Sequence, residues 1–155
     1  MKKSILFSVL VLCGINIFAQ QPSTPDTLRK PIQICPDQIV WLDSKPPLPA
    51  GAKVAVLEGD PKKDGIFVMR LKFPANYYLP AHIHPKDERV LVISGSVNVG
   101  FGDKIDKKNI THYTAGCFYV NPAGLHHYVF TEEDEVIVQL TGIGPWGLEF
   151  VGGKK

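Results

Sequence analysis

From Ile32 to the C-terminus the chain shows no helical hydrophobic period sustained over ten or more residues, which restricts it to strands and turns. Short apolar or alternating runs recur at roughly 8–12-residue intervals, each closed by Gly, Pro, Asn, Asp or Ser. They are Ile39–Leu42, Ala52–Leu57, Ile66–Phe73, Tyr77–His84, Arg89–Ile93, Val97–Phe101, Cys117–Asn121, His127–Thr131, Val136–Thr141 and Trp146–Val151. Gly102 to Asn109 is charged and reads as a loop, and Ser94-Gly95-Ser96 carries a hairpin signal. The pattern is that of an all-β sandwich or barrel.

The first 19 residues have a different character. Lys2 and Lys3 precede an almost unbroken apolar run from Ile5 to Phe18, and Ala19 follows as a small residue suited to cleavage. This is the pattern of a secretory signal peptide. The run is shorter than the ~20 apolar residues of a spanning helix, so a stable membrane anchor is not expected. Residues 20–31 (QQPSTPDTLRKP) read as a flexible leader and residues 32–155 as a single domain, exported to the periplasm or beyond. Removing Lys2 and Lys3 from 17 basic residues leaves 15 against 15 acidic ones. A balanced chain of this kind offers no electrostatic case for nucleic acid as a partner. Export would permit a Cys35–Cys117 bridge, although Cys117 sits in an apolar strand where a free thiol is equally ordinary.

Two stretches carry the chemistry. In Pro80-Ala81-His82-Ile83-His84-Pro85-Lys86-Asp87-Glu88, two histidines one residue apart on a strand face the same way. The proline-bounded turn after them can bring Glu88 back toward their rings. In Gly116-Cys117-Phe118-Tyr119-Val120-Asn121-Pro122-Ala123-Gly124-Leu125-His126-His127 a strand runs through a Pro-x-Gly turn to a histidine opening the next strand.

Together the two stretches resemble the cupin superfamily. His82, His84, Glu88 and Gly95 stand at the spacing of its first motif, with Asn76 where the leading glycine belongs. Gly116, Pro122, Gly124 and His127 match its second motif, with Thr131 in place of the closing asparagine. The resemblance implies a cupin-type double-stranded β-helix, a jelly-roll barrel. It also implies His82, His84, Glu88 and His127 as ligands of one divalent transition metal. Three imidazole nitrogens and a carboxylate suit Fe, Mn, Zn, Ni or Cu, with two positions left open in octahedral geometry.

Other residues near these motifs are weighed on alternation. His126 points away from His127, Asp87 is a turn carboxylate beside Glu88, and His112 carries no spacing signal. Tyr78 shares strand parity with His82 and His84 and is a candidate for the wall of a small-molecule pocket. Gln139 is a second such candidate, from the polar face of its strand. Arg70 and Lys72 would recognise an anion only if their face is the inner one. Several strands are apolar on both faces, which neighbouring elements or a second copy of the chain, as a homodimer, could cover. The resulting expectation is an exported, metal-binding protein with a small-molecule ligand. Oxygenase or oxidoreductase chemistry comes first. A metal-dependent isomerase or lyase and a non-catalytic sensor are the alternatives, because the fold hosts all of these.

Overall fold

A computed structural model of the chain describes residues 30–152; the expected signal peptide, and the leader up to residue 29, lie outside them. Residues from Ile32 onward form one unit of eleven strands and a short 3-10 turn at Pro36–Gln38. The strands are β1 (Leu42–Asp43), β2 (Lys53–Glu58), β3 (Gly65–Phe73), β4 (Tyr78–Ile83), β5 (Glu88–Ser94) and β6 (Ser96–Phe101). They continue with β7 (Ile110–Thr114), β8 (Phe118–Asn121), β9 (His127–Phe130), β10 (Val136–Gly144) and β11 (Glu149–Phe150). One sheet has the order β1-β2-β3-β10-β5-β8 and the other β11-β4-β9-β6-β7, every pair antiparallel. This is the jelly-roll architecture expected from the resemblance.

Alternation decides what each sheet buries. Phe67, Met69, Leu71 and Phe73 of β3 point inward, as do Val136, Val138 and Leu140 of β10 and Val90 and Val92 of β5. Val97 and Val99 of β6, Leu79 of β4 and Val129 of β9 meet them from the other sheet, closing a single core. Each such side chain contributes about 1.5–3 kcal/mol by leaving water, which is what holds the sheets face to face.

One expectation about connections changes. Ser94-Gly95-Ser96 does not close a hairpin: β5 and β6 lie in different sheets, and the turn carries the chain across the core. Gly95 is required there because its φ is +70° and a Cβ would sit 2.4 Å from the Glu135 carbonyl oxygen. The run after the charged loop, including His112, is a five-residue edge strand, β7, paired with β6.

The two departures from the motif meet at one corner of the barrel. Asn76 takes the place of a glycine with φ +57°, a left-handed conformation that Asn tolerates better than most residues. Its N–H donates to the Glu132 carbonyl at 2.6 Å. Thr131 Oγ1 accepts the Tyr77 N–H at 2.9 Å and donates to the Pro74 carbonyl at 2.7 Å. The substitutions therefore preserve the turn, which is built from residues other than the proposed metal ligands.

The apolar outer faces are covered unequally. Tyr128 on the outside of β9 is fully buried because its ring lies over Gly100 and its hydroxyl bonds the backbone of Asp106. The charged 102–109 loop thus covers that sheet from within the chain. The outer face of the other sheet leaves Ile66, Phe118 and Ile143 exposed. Cys35 and Cys117 are both free thiols, so no disulfide joins them.

Candidate metal centre

The four expected ligands come from both sheets. His82 and His127 are direct cross-strand partners in β4 and β9, and His84 follows immediately after β4. The chain then crosses between sheets through Pro85-Lys86-Asp87, so Glu88 opens β5 on the opposite side and faces the histidines. His82, His84, His127 and Glu88 are all buried. One nitrogen from each histidine lies within 4.8 Å of the others. Glu88 Oε1 is 3.5 Å from His84 Nε2, and its Oε2 is 3.6 Å from His127 Nε2.

Hydrogen bonds at the far side of each ring orient the nitrogens. Nδ1 of His82, His84 and His127 lies 2.7, 2.6 and 3.0 Å from the carbonyl oxygens of Pro80, Gly147 and Leu125. A carbonyl can only accept, so Nδ1 carries the proton and Nε2 presents its lone pair. Nε2 of His84 and of His127 is buried without any hydrogen-bond partner. Two buried lone pairs left unpaired would cost about 1–3 kcal/mol each, and a divalent cation between them removes that cost. The donor set fits such a cation: neutral imidazoles, one carboxylate, and ring orientations fixed from behind.

Electrostatics agree with this assignment. Burial, then the neighbouring His127, pushes the His82 imidazole down to about 3, and burial also lowers His84, so both rings stay neutral. Burial alone would raise the Glu88 carboxyl, but its neighbours in the site, the donating Asn121 amide among them, outweigh it and hold the group below its ordinary range.

Asn121 and the Trp146-Gly147 segment complete the site, and sequence reasoning assigned neither a role. Asn121 Nδ2 donates to Glu88 Oε2 at 2.8 Å from its paired position in β8. A buried polar residue sharing strand parity with Tyr119 was the available signal. Trp146 stacks on the His84 ring at 4.2 Å and 16°, while the next residue supplies the carbonyl that holds His84 Nδ1. The Trp146 backbone N–H in turn donates to the Pro61 carbonyl at 2.7 Å, tying this segment to the β2–β3 loop. Replacing Asn121 with alanine is expected to weaken metal binding about 10–100-fold, the usual cost of losing a hydrogen bond to a ligand. Calorimetric titration checks this, and an unchanged affinity would remove Asn121 from the site.

Above the cluster lies a cavity of about 280 Å³, with Leu48, Met69, Leu71, Leu79, Trp146 and Leu148 among its walls. Neither pocket residue expected from strand parity lines it. The β4–β9 register slips by one residue between Leu79 and His82, a bulge that changes the phase of alternation. Leu79 therefore faces inward with His82, and Tyr78 is turned out, 42% exposed. In β10 the inward positions belong to Val138 and Leu140, and Gln139 on the outer face accepts a hydrogen bond from Arg70 Nε at 3.2 Å. Lys72 is also on the outer face, 3.3 Å from Glu135 and over the Trp41 ring. Asp87 bonds Arg89 and the Ala123 N–H, and His126 pairs with Asp103 at the surface, so both stand apart from the cluster.

A profile of the ChrR cupin-like domain matches residues 29–145. The chain belongs to this cupin family. Among curated proteins it is similar to two from rice (Oryza sativa subsp. japonica). Putative germin-like protein 9-2 is 33% identical over 75 residues, covering 48% of this chain and 35% of the rice protein. Germin-like protein 9-3 is 31% identical over the same shares. The match thus spans about a third of each rice relative. Among solved structures, the polyketide cyclase RemF from Streptomyces resistomycificus superposes with a TM-score of 0.63 at 15% identity, over 77% of this cupin and 86% of that chain. Oxalate oxidase in complex with the substrate analogue glycolate gives 0.52 at 25% identity, over 71% and 60%. RemF speaks to the fold alone.

Proposed function

We propose that this cupin is an exported protein that holds one divalent first-row transition metal on His82, His84, Glu88 and His127. In this reading it works on a small molecule in the adjoining cavity as a metal-dependent oxygenase or oxidoreductase. The observation that carries the proposal is the convergence of three inward-facing imidazoles and a carboxylate beside a largely apolar cavity. When bound, a metal with open positions supplies a Lewis acid, and iron, manganese or copper adds redox capacity.

The chain's own residues bind and orient. The carbonyls of Pro80, Gly147 and Leu125 keep the imidazoles aimed inward, and Asn121 holds Glu88. The leucines and Met69 exclude water from the ligand's body. Among the described residues lining this cavity, Glu88 is the one carboxylate, and it is taken up in the donor set. An isomerase or lyase that abstracts a proton needs a further base within reach, so oxidative chemistry is preferred. Similarity to an oxalate oxidase supports the same choice. The second reading, a non-catalytic metal or ligand sensor, is favoured by the same apolar wall, which binds without offering acid–base groups.

The test strips the purified protein with chelator and reloads it separately with Fe(II), Mn(II), Zn(II), Ni(II) and Cu(II). Expected are one metal per chain and dioxygen uptake with at least one redox-active metal on screening small organic anions. No stoichiometric uptake of any metal would sink the site. Uptake with no turnover under air or nitrogen would transfer the case to the sensor. A homodimer packed through exposed Ile66, Phe118 and Ile143 belongs to the same proposal, and sedimentation as a monomer would remove it.

A further inference from the structure

The cavity wall says more about the ligand than the metal does. Its sides come from four places: the β1–β2 loop (Lys45, Pro47, Leu48), the β2–β3 loop (Pro61, Lys62), β3 and β4 (Met69, Leu71, Leu79), and the segment after β10 (Trp146, Gly147, Leu148). No serine, threonine, asparagine, glutamine or tyrosine is among these lining residues. A ligand bearing many hydroxyls, or a small dianion such as oxalate, would lose hydrogen bonds to water against this wall and regain few of them.

The lining contains two charged side chains outside the histidine–carboxylate cluster, Lys45 and Lys62, both exposed and on different loops. Neither ammonium forms an ion pair or hydrogen bond among the described residues. The nearby Asp60 carboxylate is engaged instead by Lys63 Nζ at 3.6 Å and by the Lys62 backbone N–H at 2.9 Å. The cavity thus combines an apolar shaft, the histidine–carboxylate cluster at its inner end and, where it meets solvent, two ammonium groups without an ion-pair partner among the described residues. Its 280 Å³ correspond to roughly nine water-sized volumes at ~30 Å³ each, room for an aryl or short alkyl group.

We propose that the ligand is an amphipathic organic anion whose apolar body fills the shaft and whose carboxylate is held by Lys45 and Lys62. This deepens the metal-site reading above and rests on it for what happens at the inner end. The lysines act on binding through charge alone, so they are specificity-determining rather than catalytic residues.

The test compares 3-phenylpropanoate, its neutral amide and oxalate by calorimetry, on zinc-loaded protein and on protein stripped of metal. In the stripped protein 3-phenylpropanoate is expected to bind about tenfold more tightly than the amide, and oxalate more weakly than either. A K45Q/K62Q double variant, altered only at exposed positions, is expected to lose that preference while still binding the amide. Equal binding of carboxylate and amide, a preference that survives in the double variant, dominance of oxalate, or no binding of 3-phenylpropanoate would each overturn the proposal. Failure of the metal reading appears separately, as absence of zinc uptake, because the carboxylate preference is read without metal.

Discussion

Replacing His82 with alanine is expected to reduce metal affinity by well over 100-fold, leaving protein that purifies with trace metal. The argument is comparative. Losing one hydrogen bond behind a ligand costs about 10–100-fold, and His82→Ala removes a donor from the cluster itself. His84→Ala and Glu88→Ala are expected to behave alike, since His84 is a buried member of the histidine group and Glu88 lies buried 3.5 Å from it. His126→Ala is the control: that ring pairs with Asp103 at the surface, so metal content is expected to stay at the wild-type value. Elemental analysis after reloading decides the matter, and a His82→Ala protein retaining full metal would rule this residue out as a ligand. A second readout is thermal. Wild-type protein at a free metal concentration 100 times Kd gains about 2.7 kcal/mol, and the His82→Ala variant is expected to gain almost nothing.

The other large effect is acid destabilisation of the metal-free protein. His82 is pushed down to about 3 in the folded state, against an ordinary 6.5, and His84 is lowered as well. Below pH 6.5 the unfolded chain therefore takes up protons that the folded chain refuses. Stability is full above that pH and falls as pH drops toward 3. Glu88, held below its ordinary value, acts in the same direction at the acid end of the range. At about 1.4 kcal/mol per unit, His82 alone accounts for roughly 2–3 kcal/mol between pH 6.5 and 4.5. Urea midpoints of stripped protein measured across this range would test the claim. A flat profile, or one equally steep in His82→Gln, would show that the buried imidazole is not its source.

The candidate ligand set was legible because cupin spacing encodes it locally. His-x-His places two rings on one face, the turn at Pro85 returns Glu88, and the Pro122-x-Gly124 turn opens β9 with His127. Strand parity put His126 and His127 on opposite faces, and the spacing of the second cupin motif chose His127. Parity failed at Tyr78, where the bulge in β4 inserts one residue and reverses the phase; nothing in the run of residue types marks that slip. It could not place Gln139 either, since both faces of β10 carry apolar residues and only packing against β3 and β5 shows which is inside.

By itself, then, the sequence determined the all-β class through period-two alternation, and the four candidate ligands through their resemblance to the cupin motifs. Tertiary structure decided what surrounds them. Asn121 reaches Glu88 across 33 positions, and Gly147 reaches His84 across 63. Loops distant in the chain set Lys45, Lys62 and Trp146 around one cavity. The physical reason is range: strand periodicity acts over two residues, whereas hydrogen bonds and cavity walls are made by whichever segments the closed barrel brings together.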